Sequence, residues 1–330
     1  MIRAVPSALM VDLPRFRLFD TPAPLLPLDR LSSALGGRVE IWCKREDLLP
    51  LAFGGNKLRN LEFLIGAAIA DGADTLVTSG RRWSNHCRLT AAAGARAGLD
   101  VHLVLSGPPA VVPGPGVVLD ELLGATVHQL LTADRAEREA AVTDVVASLR
   151  AAGRRPSVIG VGGSGAVGAF GHVLAAAELM DQAASRGTVV DAIVLPSATG
   201  GTQAGLVVGV ALRSPVASVD GIVVARPAAE LRPAIASMVE ELAGWTGAAV
   251  TDDAIRLDEG HLGDGYGRRT PEADEATRLL ARTEGIFVDP IYTAKALAGL
   301  IDGVLAGRYD GQTVVFWHAG GLPGLFEPLD

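Results

Sequence analysis

Short, nearly unbroken apolar runs recur along the chain at 39–43, 75–79, 101–106, 157–161, 192–195, 218–225 and 313–318, and an Ala- and Leu-rich stretch follows most of them. A strand covered on both faces needs no polar alternation, so this pattern specifies a parallel sheet with helices on either side. The fold class is α/β, with open, mostly parallel sheets. Glycine, at 40 of 330 residues, suits the tight strand–helix turns of such a fold. Residues 91–98 read as a helix closing at Gly98, ahead of the next strand. Ser106-Gly107-Pro108-Pro109 and Pro113-Gly114-Pro115-Gly116 mark a surface loop. No tandem repeat of solenoid length is present, and Gly162-Gly163-Ser164-Gly165 is a candidate boundary.

Charge removes several function classes. Asp and Glu number 37 against 29 Lys and Arg, for a net charge of −8, and no basic block occurs, so a nucleic-acid partner is not expected. Cys43 and Cys87 are far apart without metal-ligand spacing, which fits a reducing cytoplasm rather than a disulfide scaffold or zinc site. The six histidines are scattered, so no metal centre is expected. The first six residues are soon followed by Asp12 and Arg15, which interrupts any signal core. Apolar runs such as 204–212 fall well short of the ~20 residues a membrane-spanning helix needs.

Three segments carry candidate chemistry. Gly54-Gly55-Asn56-Lys57 precedes the helical pattern 58–70; a helix N-terminus attracts anions, and a lysine there is either a phosphate contact, a Schiff-base amine or simply a solvated side chain in a loop. Ser84-Asn85-His86 follows a strand and opens an Ala-rich helix, where ligands bind in open α/β sheets. One of the three suffices as a cap, so three successive polar groups favour a site. Cys87, just after them, reads as a small packing residue. Ser197-Ala198-Thr199-Gly200-Gly201-Thr202 follows another strand and offers backbone N–H groups and two threonine hydroxyls to a phosphate, unless it is only a tight turn. Two of the chain's three tyrosines, Tyr266 and Tyr292, sit among loop formers and are candidates for a pocket wall or for acid–base work. Glu46 and Asp289 read as surface or structural carboxylates.

Seven stretches occur in one order: Lys44-Arg45-Glu46-Asp47-Leu48, Ala52-Phe53-Gly54-Gly55-Asn56-Lys57-Leu58-Arg59, Ser84-Asn85-His86-Cys87-Arg88, Gly200-Gly201-Thr202-Gln203-Ala204-Gly205-Leu206, Gly265-Tyr266-Gly267, Asp289-Pro290-Ile291-Tyr292-Thr293 and His318-Ala319-Gly320-Gly321-Leu322-Pro323-Gly324. Together they cover most of the chain from about residue 15. In this the chain resembles the pyridoxal 5'-phosphate (PLP) enzymes of the tryptophan-synthase-β fold, fold type II, in the group of D-cysteine desulfhydrase and 1-aminocyclopropane-1-carboxylate (ACC) deaminase. The resemblance implies two domains, with 58–168 as a small domain inserted in a large PLP-binding domain of 1–57 and 169–330, and a homodimer. It implies that Lys57 binds PLP covalently and then removes the α-proton of a small amino acid. Residues Ala198, Thr199, Gly200, Gly201 and Thr202 would hold the phosphate and Asn85 the ring oxygen. Ser84, Asn85 and His86 would surround the substrate carboxylate, with Tyr266 and Tyr292 lining the substrate side. The implied outcome is β-elimination to a keto acid and ammonia.

Departures from the family pattern bear on the substrate. Trp83 stands where the family usually has Gln, preceded by Arg81 and Arg82; it either presents a flat apolar wall to a larger substrate or points into the core. Ala319 replaces the threonine that faces the pyridine nitrogen in desulfhydrases, and Thr293 replaces the glutamate of ACC deaminases. Thr293 or a water is therefore expected as the only partner of that nitrogen. Thr293 in place of glutamate, together with His86 and Cys87, favours a desulfhydrase over cyclopropane opening, whereas the loss of the glutamine and the threonine points away from an ordinary D-cysteine desulfhydrase. A β-replacement synthase, a specialised enzyme with a larger substrate, and a non-catalytic protein binding a phosphate ligand are the alternatives.

Overall fold

The structure, a computed structural model, describes residues 11–107, 113–214 and 216–329. The reading of the first six residues, and the Pro108–109 half of the expected loop, lie outside them. Two sheets form. The larger comprises β1 (Leu25–Pro27), β2 (Glu40–Arg45), β7 (Ala192–Ser197), β8 (Ser218–Val223), β9 (Arg256–Asp258) and β10 (Thr313–His318), in the order β1-β2-β10-β7-β8-β9. The smaller holds β3 (Thr75–Arg81), β4 (Asp100–Ser106), β5 (Thr126–Leu130) and β6 (Pro156–Ile159), ordered β5-β4-β3-β6. All pairings are parallel except that of β1 with β2. The helices are α1 (Asp29–Ala34), α2 (Lys57–Ala70), α3 (Asn85–Ala97), α4 (Pro115–Leu122), α5 (Arg135–Ala151), α6 (Ala166–Ser185), α7 (Gly201–Arg213), α8 (Ala228–Thr246), α9 (Pro271–Glu284) and α10 (Thr293–Leu305).

The period of the strands sorts the core. Along β10, Val315 and Trp317 join one cluster with residues of α6, α7 and α8, while Val314 and Phe316 join another with residues of α1, α9 and α10. Successive side chains point to opposite faces, so one apolar run feeds two cores. A third cluster places Leu76, Leu103 and Leu105 of the smaller sheet against α2 and α3.

Several boundaries differ from the sequence reading. The run 157–161 ends as a strand at Ile159 and passes into a short turn in which Gly162 is left-handed, at φ 72°. Strands β1, β5 and β9 were not legible, being short or polar edge segments with little apolar signal. The helix expected to open at Ser84–His86 and to close at Gly98 does both, running from Asn85 to Ala97 with Gly98 left-handed at φ 70°. Glycines also decide how closely α7 approaches α6. A Cβ at Gly205 would lie 2.2 Å from the Ala169 carbonyl oxygen, and one at Gly209 would lie 2.5 Å from Ala176 Cβ. No larger residue fits at this crossing, which sets where the N-terminus of α7 lies.

Candidate active site

The carboxyl ends of β2, β3, β7, β8 and β10 feed the loops around one cavity of about 830 Å³. Ligands bind at this end of open α/β sheets because helix N-termini and loop amides collect there. Lys57, the first residue of α2, lines the cavity. Its turn is built on glycine: Gly54 has φ +63°, and a Cβ there would meet the Asp47 carbonyl oxygen at 2.2 Å. The turn docks on the strand-end loop after β10, where Asn56 N donates to the Ala319 carbonyl at 2.9 Å. His318 shapes that loop; its Nε2 lies 2.7 Å from the Phe287 carbonyl and its Nδ1 accepts from Gly320 N at 3.3 Å.

Behind the turn lies a buried ion network. Arg59 Nε donates to Glu46 Oε2 at 2.6 Å and its Nη2 to Glu46 Oε1 at 2.7 Å, and Nη2 also reaches Glu178 Oε1 at 2.8 Å. Lys44 Nζ shares that Glu178 oxygen at 2.5 Å. Glu46 is thus a buried structural anchor rather than a surface carboxylate. Its partner comes from another element, and nothing local in the sequence marks the pair.

Lys57 is not a solvated loop lysine. Its amine makes no hydrogen bond or ion pair among the described residues. Burial alone pulls its pKa from 10.5 to about 8. A substantial fraction is therefore neutral near physiological pH, the form that attacks a carbonyl.

The glycine–threonine turn is a cradle facing the same cavity. Ala198, Thr199, Gly200 and Thr202 line it, whereas Gly201 forms the first turn of α7 behind them. Gly200 is left-handed at φ +88°, and a Cβ there would strike Ile235 Cγ1 at 2.5 Å. A Cβ at Gly162 would meet Thr199 Oγ1 at 2.7 Å, and Ser164 Oγ donates to Thr199 Oγ1 at 2.6 Å. The first N–H groups of α7 have no intrahelical acceptors, so they converge on this cradle as an anion site. Asn56 Nδ2 donates to Thr202 Oγ1 at 2.8 Å, tying the cradle to the lysine turn.

The third segment caps α3 and lines the cavity as well. Ser84 Oγ accepts from Cys87 N at 3.3 Å, which leaves its own proton available. Arg88 Nη2 donates to Asn85 Oδ1 at 3.0 Å, so the Asn85 amide nitrogen is the end left to donate elsewhere. The side chain of His86 is turned to a different partner. Thr78 Oγ1 donates to the Ile159 carbonyl at 2.7 Å, and it lies 2.9 Å from His86 Nε2. The one hydroxyl proton is committed, so His86 Nε2–H donates to Thr78. His86 Nδ1 is then a bare lone pair, buried and unpartnered. Burial, then the Lys57 charge, pull His86 to about 3. A lone pair repels a carboxylate, so only the backbone N–H of His86 can serve one. Cys87 is a buried free thiol, as a packing residue should be.

Tyr266 and Tyr292 line the cavity and their hydroxyls are hydrogen-bonded to each other. Burial pushes Tyr266 up to about 12, and burial with the neighbouring Tyr266 raises Tyr292 well above its ordinary value. Both phenols stay protonated at neutral pH. Only one proton is needed between them, so the other is free to point at a ligand.

Two expected site residues are placed elsewhere. Thr293 does not line the cavity: its Oγ1 donates to Asp289 Oδ1 at 2.6 Å and accepts from Asp289 N at 2.9 Å. Asp289, buried, also accepts from the backbone of Ile291, Tyr292 and Thr293 and so caps α10. Trp83 lies one layer out, its ring centroid 6.1 Å from that of Tyr266 and its edge against Gly267, where a Cβ would approach within 2.6 Å. It buttresses Tyr266 rather than walling the cavity. Missed by the sequence reading were Arg138, Arg226 and the Thr78–His86 relay, all joined only by the fold.

The residues present fit pyridoxal phosphate: an unpartnered buried amine, an anion cradle that side chains would fill, and an amide held with its donor end outward. The chain matches the family described as pyridoxal-phosphate dependent enzyme over residues 16–320. It is 40% identical over 320 residues, 95% of each chain, to D-cysteine desulfhydrases of Salmonella choleraesuis (strain SC-B67) and Salmonella typhi. A crystal structure of an ACC deaminase homologue superposes with a TM-score of 0.88 at 32% identity, covering 98% of this chain and 97% of that one. O-ureido-L-serine synthase shares the fold, with a TM-score of 0.67 at 16% identity over 92% of this chain and 90% of that one.

Proposed function

This chain belongs to the family of pyridoxal-phosphate-dependent enzymes, and from that premise we propose that it is a carbon–sulfur lyase acting on a small β-substituted amino acid, in the manner of a D-cysteine desulfhydrase. The observation that carries this is Lys57, a buried amine held near neutrality with no partner, facing both an anion cradle and a pair of protonated tyrosines. Bound between them, PLP supplies the electron sink that makes an α-proton acidic and a β-substituent expellable.

The chain's own groups supply the rest. The cradle from Ala198 to Thr202 holds the phosphate, the Asn85 amide nitrogen donates to the ring oxygen, and Lys57 holds the aldehyde carbon. The α3 N-terminus, through Ser84 Oγ and the backbone N–H groups of Asn85 and His86, holds the substrate carboxylate. Freed Lys57 Nζ takes the α-proton. The spare proton of the Tyr266–Tyr292 pair meets the departing sulfur. The balance is cysteine plus water to pyruvate, ammonia and hydrogen sulfide. Thr293, committed to Asp289, and Ala319, without a polar side chain, would offer the ring nitrogen no hydrogen-bonding side chain.

Residues 58–168, which contain the whole smaller sheet, are the inserted domain in this reading. Among the described residues no helix is long and apolar enough to cross a membrane. The buried free thiols Cys43 and Cys87 accord with a cytoplasmic setting. A homodimer accords with the exposed apolar side chains of Leu48 and Phe53 beside the lysine turn. A sedimentation mass of one chain in the holoenzyme would remove the dimer.

Purified holoenzyme given D-cysteine, L-cysteine, β-chloro-D-alanine and ACC is expected to release pyruvate and ammonia from at least one β-substituted alanine, with sulfide from cysteine, and no product from ACC. Product formation only when a second thiol is added would make the enzyme a β-replacement synthase.

A further inference from the structure

The outer half of the cavity is basic, in a chain whose net charge is −8. Arg81 ends β3, three residues before the Ser84 cap; Arg138 projects from α5; Arg226 follows β8. All three line the cavity, and none makes an ion pair among the described residues. Arg138 is anchored rather than loose: its Nη1 donates to Ser106 Oγ at 3.2 Å, and Ser106 Oγ donates to the Gly80 carbonyl at 3.3 Å. Its Nε is buried without an acceptor, as is that of Arg226.

The nearby carboxylates do not neutralise this pair. Glu139 is bound to Arg135 at 2.7 Å in an exposed pair, and the electrostatic neighbours of Glu230 are Arg226 and Arg135. Burial, then the Arg138 charge, pull the Arg81 guanidinium below its ordinary value, and Tyr266 is its other electrostatic neighbour. Two cations that line one cavity, with Arg138 tied through Ser106 to the carbonyl of Gly80, the residue before Arg81, make no ion pair that would stabilise them; a bound anion supplies the counter-charge.

We propose that Arg81 and Arg138 form an anion subsite beyond the tyrosine pair, so that the preferred substrate is a β-substituted alanine whose leaving group itself carries an oxyanion, a phosphate or a thiosulfonate. This rests on the lyase reading above. The substrate's α-carboxylate is already served by the α3 N-terminus, which leaves the arginine pair for a second negative group. With O-phosphoserine, the α-proton goes to Lys57, the Cβ–O bond breaks, and phosphate leaves with the bonding pair; water then completes pyruvate and ammonia. With S-sulfocysteine, the Cβ–S bond breaks and thiosulfate leaves in the same way.

The test compares O-phosphoserine and S-sulfocysteine with β-chloroalanine, in the enantiomer the enzyme accepts, on wild-type holoenzyme and on Arg81→Gln, Arg81→Lys and Arg138→Gln. The ratio of kcat/KM for the oxyanion substrates to that for β-chloroalanine is expected to fall about 10- to 100-fold in Arg81→Gln, with partial recovery in Arg81→Lys. Better turnover of one oxyanion probe than the other identifies phosphate or thiosulfonate. Equal loss on all substrates would overturn the proposal and place Arg81 on the α-carboxylate. Calorimetric titration of O-phosphoserine into the holoenzymes reads the subsite without turnover, and an unchanged affinity in both glutamine variants would also overturn it. Absence of pyruvate from every probe, with the Arg81-dependent affinity intact, would instead strike the lyase reading.

Discussion

Lys57→Ala is expected to abolish covalent cofactor attachment and to lower turnover by about 10⁴-fold or more, the upper end of what one proton-transferring group contributes. The size follows from two roles resting on one atom. The amine is buried and unpartnered, and its pKa of about 8 leaves it partly neutral for attack and then competent to take a proton. No other amine replaces it. Lys44 is committed to Glu178 and Gln182, and Lys295 Nζ donates to the Leu262 carbonyl at 2.7 Å. Borohydride reduction followed by peptide mass spectrometry should find the cofactor's mass on Lys57 in the wild type and nowhere in the variant. Reduction at another lysine, or a variant with more than about a tenth of wild-type turnover, would remove Lys57 from the mechanism. The variant is expected to fold, because the α2 N-terminus is held by Asn56 and by the Arg59 network rather than by Lys57.

What could be read from the sequence, and what could not, divides along a physical line. The lysine turn, the phosphate cradle and the α3 cap are contiguous segments in which glycines or small polar residues stand directly between a strand and a helix. Such a segment announces its own backbone geometry, and here the same ten-residue neighbourhood supplies both the turn and the reacting group. The apolar runs likewise marked β2, β3, β4, β6, β7, β8 and β10, since a doubly covered strand has a local signature. The directions of the Trp83, Thr293 and His86 side chains were not legible, for the opposite reason. Whether Trp83 walls the cavity or backs Tyr266 depends on Gly267, 184 positions away in a different loop. Whether Thr293 is free depends on a buried Asp289 whose need for donors consumes the hydroxyl. The tautomer of His86 is set by a carbonyl on β6 acting through Thr78. Arg138 shares a cavity with Arg81 only because α5 packs against β3 and β4. In each case identity was legible and direction was not, because direction belongs to the packing.

Tyr292→Phe carries the second large expected effect, a loss of about 10²- to 10³-fold in kcat with KM changed little, as for removal of one general acid. Two phenols share one hydrogen bond, so the wild-type pair has a proton left over; after the substitution Tyr266 keeps its hydroxyl but loses the neighbour that orients it. The consequence should depend on the leaving group. A thiolate from cysteine needs protonation as it departs, whereas chloride from β-chloroalanine does not. The kcat ratio of cysteine to β-chloroalanine should therefore fall at least about tenfold in Tyr292→Phe. The pH profile gives an independent check. Both phenols are raised by burial, Tyr266 to about 12, so neither should produce a limb in kcat at neutral pH. Tyr292→Phe should therefore lower the plateau of the profile without moving any limb that lies at neutral pH. A substitution that instead reduced both substrates equally would make Tyr292 a wall of the cavity and assign the proton to a water.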